Sequence, residues 1–280
     1  MVTTEINKTE TSQETKENYI DIPLNEPVSE IAKRIDREKV EGFLSHEEGE
    51  LLHYLARSCP ENGTIVEIGS WKGRSTAWMG RGVKVASNNA HIFAIDPHTG
   101  SPEHQLNAIE VYTFTEFKNN IRNMGVEDVI TPIVAFSDKA AKDFDRSVDL
   151  LFIDGAHEYE AVKLDFDTWF PKLKIGATIA FHDSVGEGWP GVQQLVREKI
   201  YSSDRFENVR FIGSITYATK VKEKEGGESY TNKAIFGLKC IHDVRKKIPQ
   251  PFRNLERLII TKCFQKNWMK AERRKSLKSP

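Results

Sequence analysis

Cysteine is scarce: Cys59, Cys240 and Cys263 are the three in 280 residues, widely spaced and in no C-x-x-C pair. Such a set argues against a disulfide framework and a cysteine-built zinc centre, and it points to a reducing, cytoplasmic setting. Long apolar runs are missing as well. Nowhere do 18 apolar residues follow one another, and the opening MVTTEINKTETSQETKENY has no basic region leading into an apolar one. Neither a membrane span nor a secretory signal is therefore expected. An excess of one charge is also lacking, with 40 Lys and Arg against 41 Asp and Glu. No nucleic-acid partner is expected from so even a balance.

The balance conceals two unlike ends. Residues 1–50 hold 13 acids against 6 bases, and residues 245–280 hold 12 bases against 2 acids. Between them the composition is that of a soluble globular domain, 39% hydrophobic and 29% charged overall, which excludes fibrous and wholly disordered classes. Residues 1–18 offer almost nothing to bury and read as a disordered tail. Residues 19–60 read as an N-terminal helical cap, with Ile31, Ile35, Val40, Phe43, Leu51, Leu52 and Leu55 at helical spacing. Residues 61–242 form the main domain, and residues 243–280 a basic amphipathic C-terminal helix with Phe252, Leu255, Ile259 and Cys263 on its stripe.

Within the main domain short apolar runs alternate with longer amphipathic ones, the pattern of strand-helix units around a parallel sheet. The strands expected are TIVEI (64–68), HIFAI (91–95), VITPIV (129–134), VDLLFI (148–153) and ATIAF (177–181). NVRFIGSITYATKV (208–221) and KAIFGLKC (233–240) are expected to pair as a closing antiparallel hairpin. The fold class is α/β, a doubly wound, mostly parallel seven-stranded sheet.

Chemistry-bearing residues recur at the carboxyl ends of these strands: Glu67, Asp96, Asp154 and the pair His182-Asp183. In an open α/β sheet such ends converge on one crevice. The first loop, Glu67-Ile-Gly69-Ser70-Trp71-Lys-Gly73, lacks the Gly-x-Gly-x-x-Gly that seats a pyrophosphate. Its leading carboxylate suits a cationic ligand end instead. Ser75 or Thr76 is available to cap the helix that follows. Asp96, 23 residues beyond Gly73, can accept both hydroxyls of a ribose. Asp154 and Asp183 leave neighbouring strands and suit a divalent cation such as Mg²⁺; His182 as a third ligand would favour Mn²⁺, Fe²⁺ or Zn²⁺. His157, on the loop after Asp154, can take a proton at neutral pH, and the bland alternative is a histidine that holds Asp154 in place.

Taken together, VEIGSWKGRST, AIDPH, LFIDGAHEYEAVKLDF, LKIGATIAFHD and GVQQLV resemble the class I S-adenosylmethionine-dependent methyltransferases. The likeness covers about residues 50–240 and lies in the branch of the macrocin-type sugar O-methyltransferases, with catechol O-methyltransferase more distant. It implies a Rossmann-like fold. It also implies that Glu67, Gly69, Ser70, Trp71, Gly73 and Ser75 wrap the methionine part of the cofactor, that Asp96 holds the ribose and that Ser137 lies near the adenine. Asp154 would border both the cofactor and the metal, with His182 and Asp183 completing the metal set and His157 acting as base. The implied activity is O-methylation of a small-molecule or sugar hydroxyl, assisted by a divalent metal ion such as magnesium.

Two other classes stay open. His157, His182 and an aspartate could bind Fe²⁺ in a hydroxylase on the same scaffold, and cephalosporin hydroxylase-type sequences resemble this family. A catalytically silent cofactor-binding protein is the other. The basic tail suits a peripheral membrane contact or packing on its own domain, and a homo-oligomer is compatible with both.

Overall fold

The computed structural model describes residues 26–100, 111–186, 189–223 and 230–243. The tail expected over residues 1–18 lies outside them, as does the basic C-terminal helix beyond Asp243. Two helices come first, α1 (Val28–Arg37) and α2 (His46–Arg57). Then β1 (Thr64–Ile68), α3 (Arg74–Ala86), β2 (His91–Ile95), α4 (Phe114–Asn123), β3 (Ile130–Ile133) and α5 (Ser137–Asp143) follow. The chain continues through β4 (Val148–Ile153), α6 (Tyr159–Trp169), β5 (Leu173–Phe181) and α7 (Pro190–Val196), which runs on as a wider turn to Tyr201. It closes with β6 (Phe206–Ile212), β7 (Ile215–Lys220) and α8 (Tyr230–Asp243).

The sheet order is β3-β2-β1-β4-β5-β7-β6. The first five strands are parallel, and β7 runs antiparallel between β5 and β6. The chain moves outward from β1 to β3 and then returns to lay β4 on the other side of β1. The switch point, where a crevice opens, therefore lies between the carboxyl ends of β1 and β4.

Strand residues alternate between two apolar layers, as the period of two dictates. Ile65, Leu150, Phe152 and Ala180 join Trp78, Met79, Leu52, Ile31 and Phe117 on one face. Val66, Ile68, Leu151, Ile153 and Phe181 join Phe166, Trp169, Leu195 and Phe206 on the other. Each large side chain so enclosed contributes roughly 1.5–3 kcal/mol. Helices α2 and α3 approach unusually closely, since a Cβ on Gly82 would lie 2.2 Å from the His53 carbonyl oxygen. This contact fixes α2 against the first strand-helix unit.

The hairpin differs from the sequence expectation in where its second strand lies. Residues 233–240 belong to α8, and the turn instead falls inside the preceding run, at Gly213-Ser214, with Ile212 opposite Ile215. Gly213 has φ 57, the left-handed conformation that a two-residue hairpin turn demands. The spacing of the buried residues shows why the later segment is helical. Asn232, Ile235 and Lys239 are buried at intervals of three and four, which suits a helix and not a strand. No helix among the described residues is long and apolar enough to cross a membrane.

Candidate functional site

The loop after β1 is built around a buried acid. Glu67 is 0% exposed, and its two carboxylate oxygens accept the hydroxyls of Ser75 and Thr76, each at 2.5 Å. Burial pushes its pKa up to about 7, aided by the charge of Asp154 and opposed by the hydroxyls. Ser75 and Thr76 thus face down onto Glu67 and do not cap α3, whose N-cap is Gly73 in the left-handed conformation. Gly69 has φ 86, and a Cβ there would stand 2.0 Å from the Asp154 carbonyl oxygen. Only glycine lets the two strand ends come this close.

Asp96 ties the second strand end to the first. Its Oδ2 accepts the Trp71 backbone N–H at 2.7 Å, and its Oδ1 accepts that of His98 at 2.6 Å. Trp71 and His98 both have left-handed backbones, φ 46 and 57. The carboxylate therefore shapes both loops, and each oxygen keeps a second lone pair for a ligand hydroxyl. His98 is fully buried, with Nδ1 2.8 Å from the Thr113 hydroxyl and its ring beside those of Phe114 and Phe117. Burial lowers its pKa against the pull of Asp96.

A second cluster gathers where β4 and β5 end. His182 Nδ1 lies 3.2 Å from Asp154 Oδ1 and 3.2 Å from Asp183 Oδ2, while its Nε2 lies 3.8 Å from Glu48 Oε2. Neither ring nitrogen is aligned for a hydrogen bond with these acids. Burial favours a neutral ring, but Asp154, and then Asp183 and Glu48, outweigh it and raise the pKa well above the imidazole range. Asp183 carries a left-handed backbone, φ 55, and is held far below the carboxylate range: burial opposes its charge, and His157 and His182 overcome that.

The donor set suits a cation. One oxygen or nitrogen from each of Asp154, His182 and Asp183 lies within 4.8 Å of the others, among the described residues. His157 borders this set, with Nε2 3.3 Å from Asp183 Oδ2. Its ring stacks on Trp189, with centroids 4.5 Å apart and planes within 3°. A recess of about 360 Å³ opens beside the pair, lined also by Glu158, Tyr159, Pro190 and Gly191.

Residues 66–184 match a family described as a methyltransferase domain. The matched span runs from β1 to the residue after Asp183 and so contains the strand ends just described. Over that span the chain is similar to a methyltransferase domain.

The chain also has relatives in distant organisms. The chain is 30% identical over 170 residues to an uncharacterized protein of Sinorhizobium fredii, covering 57% of this chain and 18% of that one. It therefore spans less than a fifth of that relative's length. It is 26% identical over 183 residues to an uncharacterized protein of Acanthamoeba polyphaga mimivirus, covering 61% and 78% of the two chains. Among solved structures, the O-methyltransferase NovP matches with a TM-score of 0.52 at 17% identity, over 64% of this chain and 81% of that one. TomG, an O-methyltransferase of Streptomyces achromogenes involved in tomaymycin synthesis and solved with S-adenosylmethionine, matches with a TM-score of 0.50 at 18% identity, over 70% and 89%. At such identities the likeness is one of fold.

Ser137 begins α5 and donates its hydroxyl to Asp165 of α6. Burial pushes the Asp165 pKa up to about 6. Asp165 Oδ2 would lie 3.1 Å from a Cβ on Gly155, so the pair borders the loop that leads from Asp154 to His157. Four contributors escaped the sequence reading. Thr76 shares Glu67 with Ser75, His98 shares Asp96 with Trp71, Glu48 reaches His182 from α2, and Trp189 covers His157. Only Glu48 carried a signal, as the last residue of the S-x-x-E capping box Ser45–Glu48.

Proposed function

We propose that the domain transfers a methyl group from S-adenosylmethionine to a hydroxyl oxygen of a small molecule or sugar, assisted by a divalent cation. The observation that carries this reading is the convergence of Asp154, His182, Asp183 and His157 beside the Gly69 loop at the β1/β4 switch point. That the structural neighbours NovP and TomG are O-methyltransferases supports oxygen as the acceptor atom.

The residues fit the cofactor in three ways. The Gly69 backbone lets the ends of β1 and β4 close into one wall of the crevice. Asp96 keeps lone pairs for ribose hydroxyls. Glu67, wholly beneath the loop, braces it from below through Ser75 and Thr76. Bound there, the cofactor supplies an electrophilic methyl on a sulfonium sulfur, and the protein supplies orientation and electrostatics.

Asp154, His182 and Asp183 would hold the cation; its chemistry is to lower the pKa of an aliphatic hydroxyl. The imidazole in this set suits Mn²⁺, Fe²⁺ or Zn²⁺ as well as Mg²⁺. His157 takes the hydroxyl proton as the oxygen–carbon bond forms. Asp183, 3.3 Å away, stabilises the imidazolium that results.

One observation favours a second reading. Both His157 and His182 lie within 3.3 Å of Asp183, which gives two imidazoles and a carboxylate, the ligand types of Fe²⁺ hydroxylases. Calorimetry with S-adenosylmethionine, repeated with Mg²⁺ and with Fe²⁺, separates the two. Micromolar cofactor binding that the cation leaves in place is expected, and no binding under any condition would sink the methyl-transfer reading.

A further inference from the structure

We propose that Trp189 is a positioning residue for His157: its indole fixes the plane of the imidazole and so the direction of its ring nitrogens. The inference rests on the reading of His157 as the proton acceptor.

The three tryptophans on and around the second sheet face and α3 are differently placed. Trp78 and Trp169 fill the core at 0% exposure, whereas Trp189 leaves 45% of its surface open. A tryptophan so exposed is not explained by core filling alone. Among the described residues its ring partner is His157, stacked at 4.5 Å with planes within 3° of parallel.

The histidine needs such a partner. It sits on the short connection between β4 and α6, and the torsion that turns an imidazole about its bond to Cβ is broad. A parallel aromatic face removes most of that freedom and favours the ring's cationic form through its quadrupole.

The backbone that carries the indole is well held. The Trp189 backbone N–H donates to the Asp183 carbonyl at 3.1 Å, which ties the stack to the same strand end as the acid beside His157. Pro190 follows and limits the backbone. Gly191 lies so near the other connection that a Cβ on it would stand 2.5 Å from both the His157 carbonyl oxygen and the Tyr159 nitrogen. Further out, the Gly186 N–H donates to Asp243 Oδ1 of α8 at 2.7 Å. The two connections therefore form one interlocked unit, with the stacked rings at its exposed edge.

The test compares wild type, Trp189→Ala, Trp189→Phe, His157→Ala and the double variant Trp189→Ala/His157→Ala. Three quantities are read: kcat and KM of methyl transfer, S-adenosylmethionine affinity by calorimetry, and the NMR shift of the His157 ring protons at fixed pH. Trp189→Ala should lower kcat about tenfold with cofactor affinity within about twofold, and should abolish the upfield ring-current shift of His157. Trp189→Phe should restore most of the rate and part of the shift. The double variant should be no slower than His157→Ala, because both changes act on one step. Wild-type kcat in Trp189→Ala beside an impaired His157→Ala overturns this proposal and leaves the base in place. An additive loss in the double variant, or a His157 shift indifferent to Trp189→Ala, overturns it too. A fully active His157→Ala overturns the base assignment and this proposal with it.

Discussion

Gly69 lies so close to Asp154 that a side-chain carbon on it would fall 2.0 Å from the Asp154 carbonyl oxygen. The contact joins the ends of β1 and β4 through the Asp154 N–H, which donates to the Ile68 carbonyl at 2.8 Å, and it sets the width of the crevice. Relief would require the backbone of one strand end to move, since neither partner is a flexible side chain.

Gly69→Ala is accordingly expected to lower stability by about 3 kcal/mol or more, from the steric overlap together with its φ of 86. It should also remove measurable S-adenosylmethionine binding. Urea unfolding and calorimetry check the two effects, and an unchanged urea midpoint would show that the strand ends part easily.

Glu67 makes stability depend on pH. Its carboxyl is raised from 4.5 to about 7 in the folded protein, so the native state binds more protons than the unfolded chain between those values. Stability is fully present below pH 4.5 as far as this group is concerned, and it is lost as pH rises through about 7. The shift corresponds to about 3 kcal/mol. Asp165, raised from 3.8 to about 6, acts in the same direction at lower pH. Glu67→Gln should flatten the profile between pH 5 and 8, measured as the free energy of urea unfolding. A profile identical to wild type would show that Glu67 is ionised at neutral pH.

The strands and the acids at their ends were legible because buried parallel strands read as apolar runs, and each stops where a polar residue must leave the sheet. Glu67, Asp96, Asp154, His157 and Asp183 could therefore be placed on one edge from spacing alone. What spacing could not convey was the direction of a side chain after a turn. Ser75 and Thr76 looked like helix caps, yet they are the second and third residues of α3 and face Glu67. The segment at 233–240 read as a strand because short apolar runs suit either element. Trp189 was invisible for a plainer reason, since its contact with His157 joins residues of two separate connections.

Cation binding should register as thermal stabilisation. Mn²⁺ or Mg²⁺ at about 100 times its dissociation constant should add about 2.7 kcal/mol to the unfolding free energy. Asp154→Asn and Asp183→Asn should each remove most of the effect. An equal response in wild type and both variants would place the cation elsewhere.

His157→Ala should lower kcat by about 10²-fold or more while S-adenosylmethionine affinity stays within about twofold. Steady-state kinetics with calorimetry test this, and an unaffected rate would make His157 a purely structural neighbour of Asp183.

Glu48 belongs to α2, before the first strand, yet its carboxylate serves three places. It accepts the Ser45 N–H at 2.8 Å at the start of its own helix, accepts the Ser214 N–H at 2.6 Å in the hairpin turn, and faces His182 Nε2 at 3.8 Å. Burial opposes its charge, but His182, Ser214 and Ser45 together bring its pKa down to about 2, so it stays ionised. A shortened protein beginning at β1 would strip the acid from His182 and loosen the far edge of the sheet at once. The strand-helix core is thus not a portable unit: transplanted or trimmed without α2, it would arrive with its cation site already detuned.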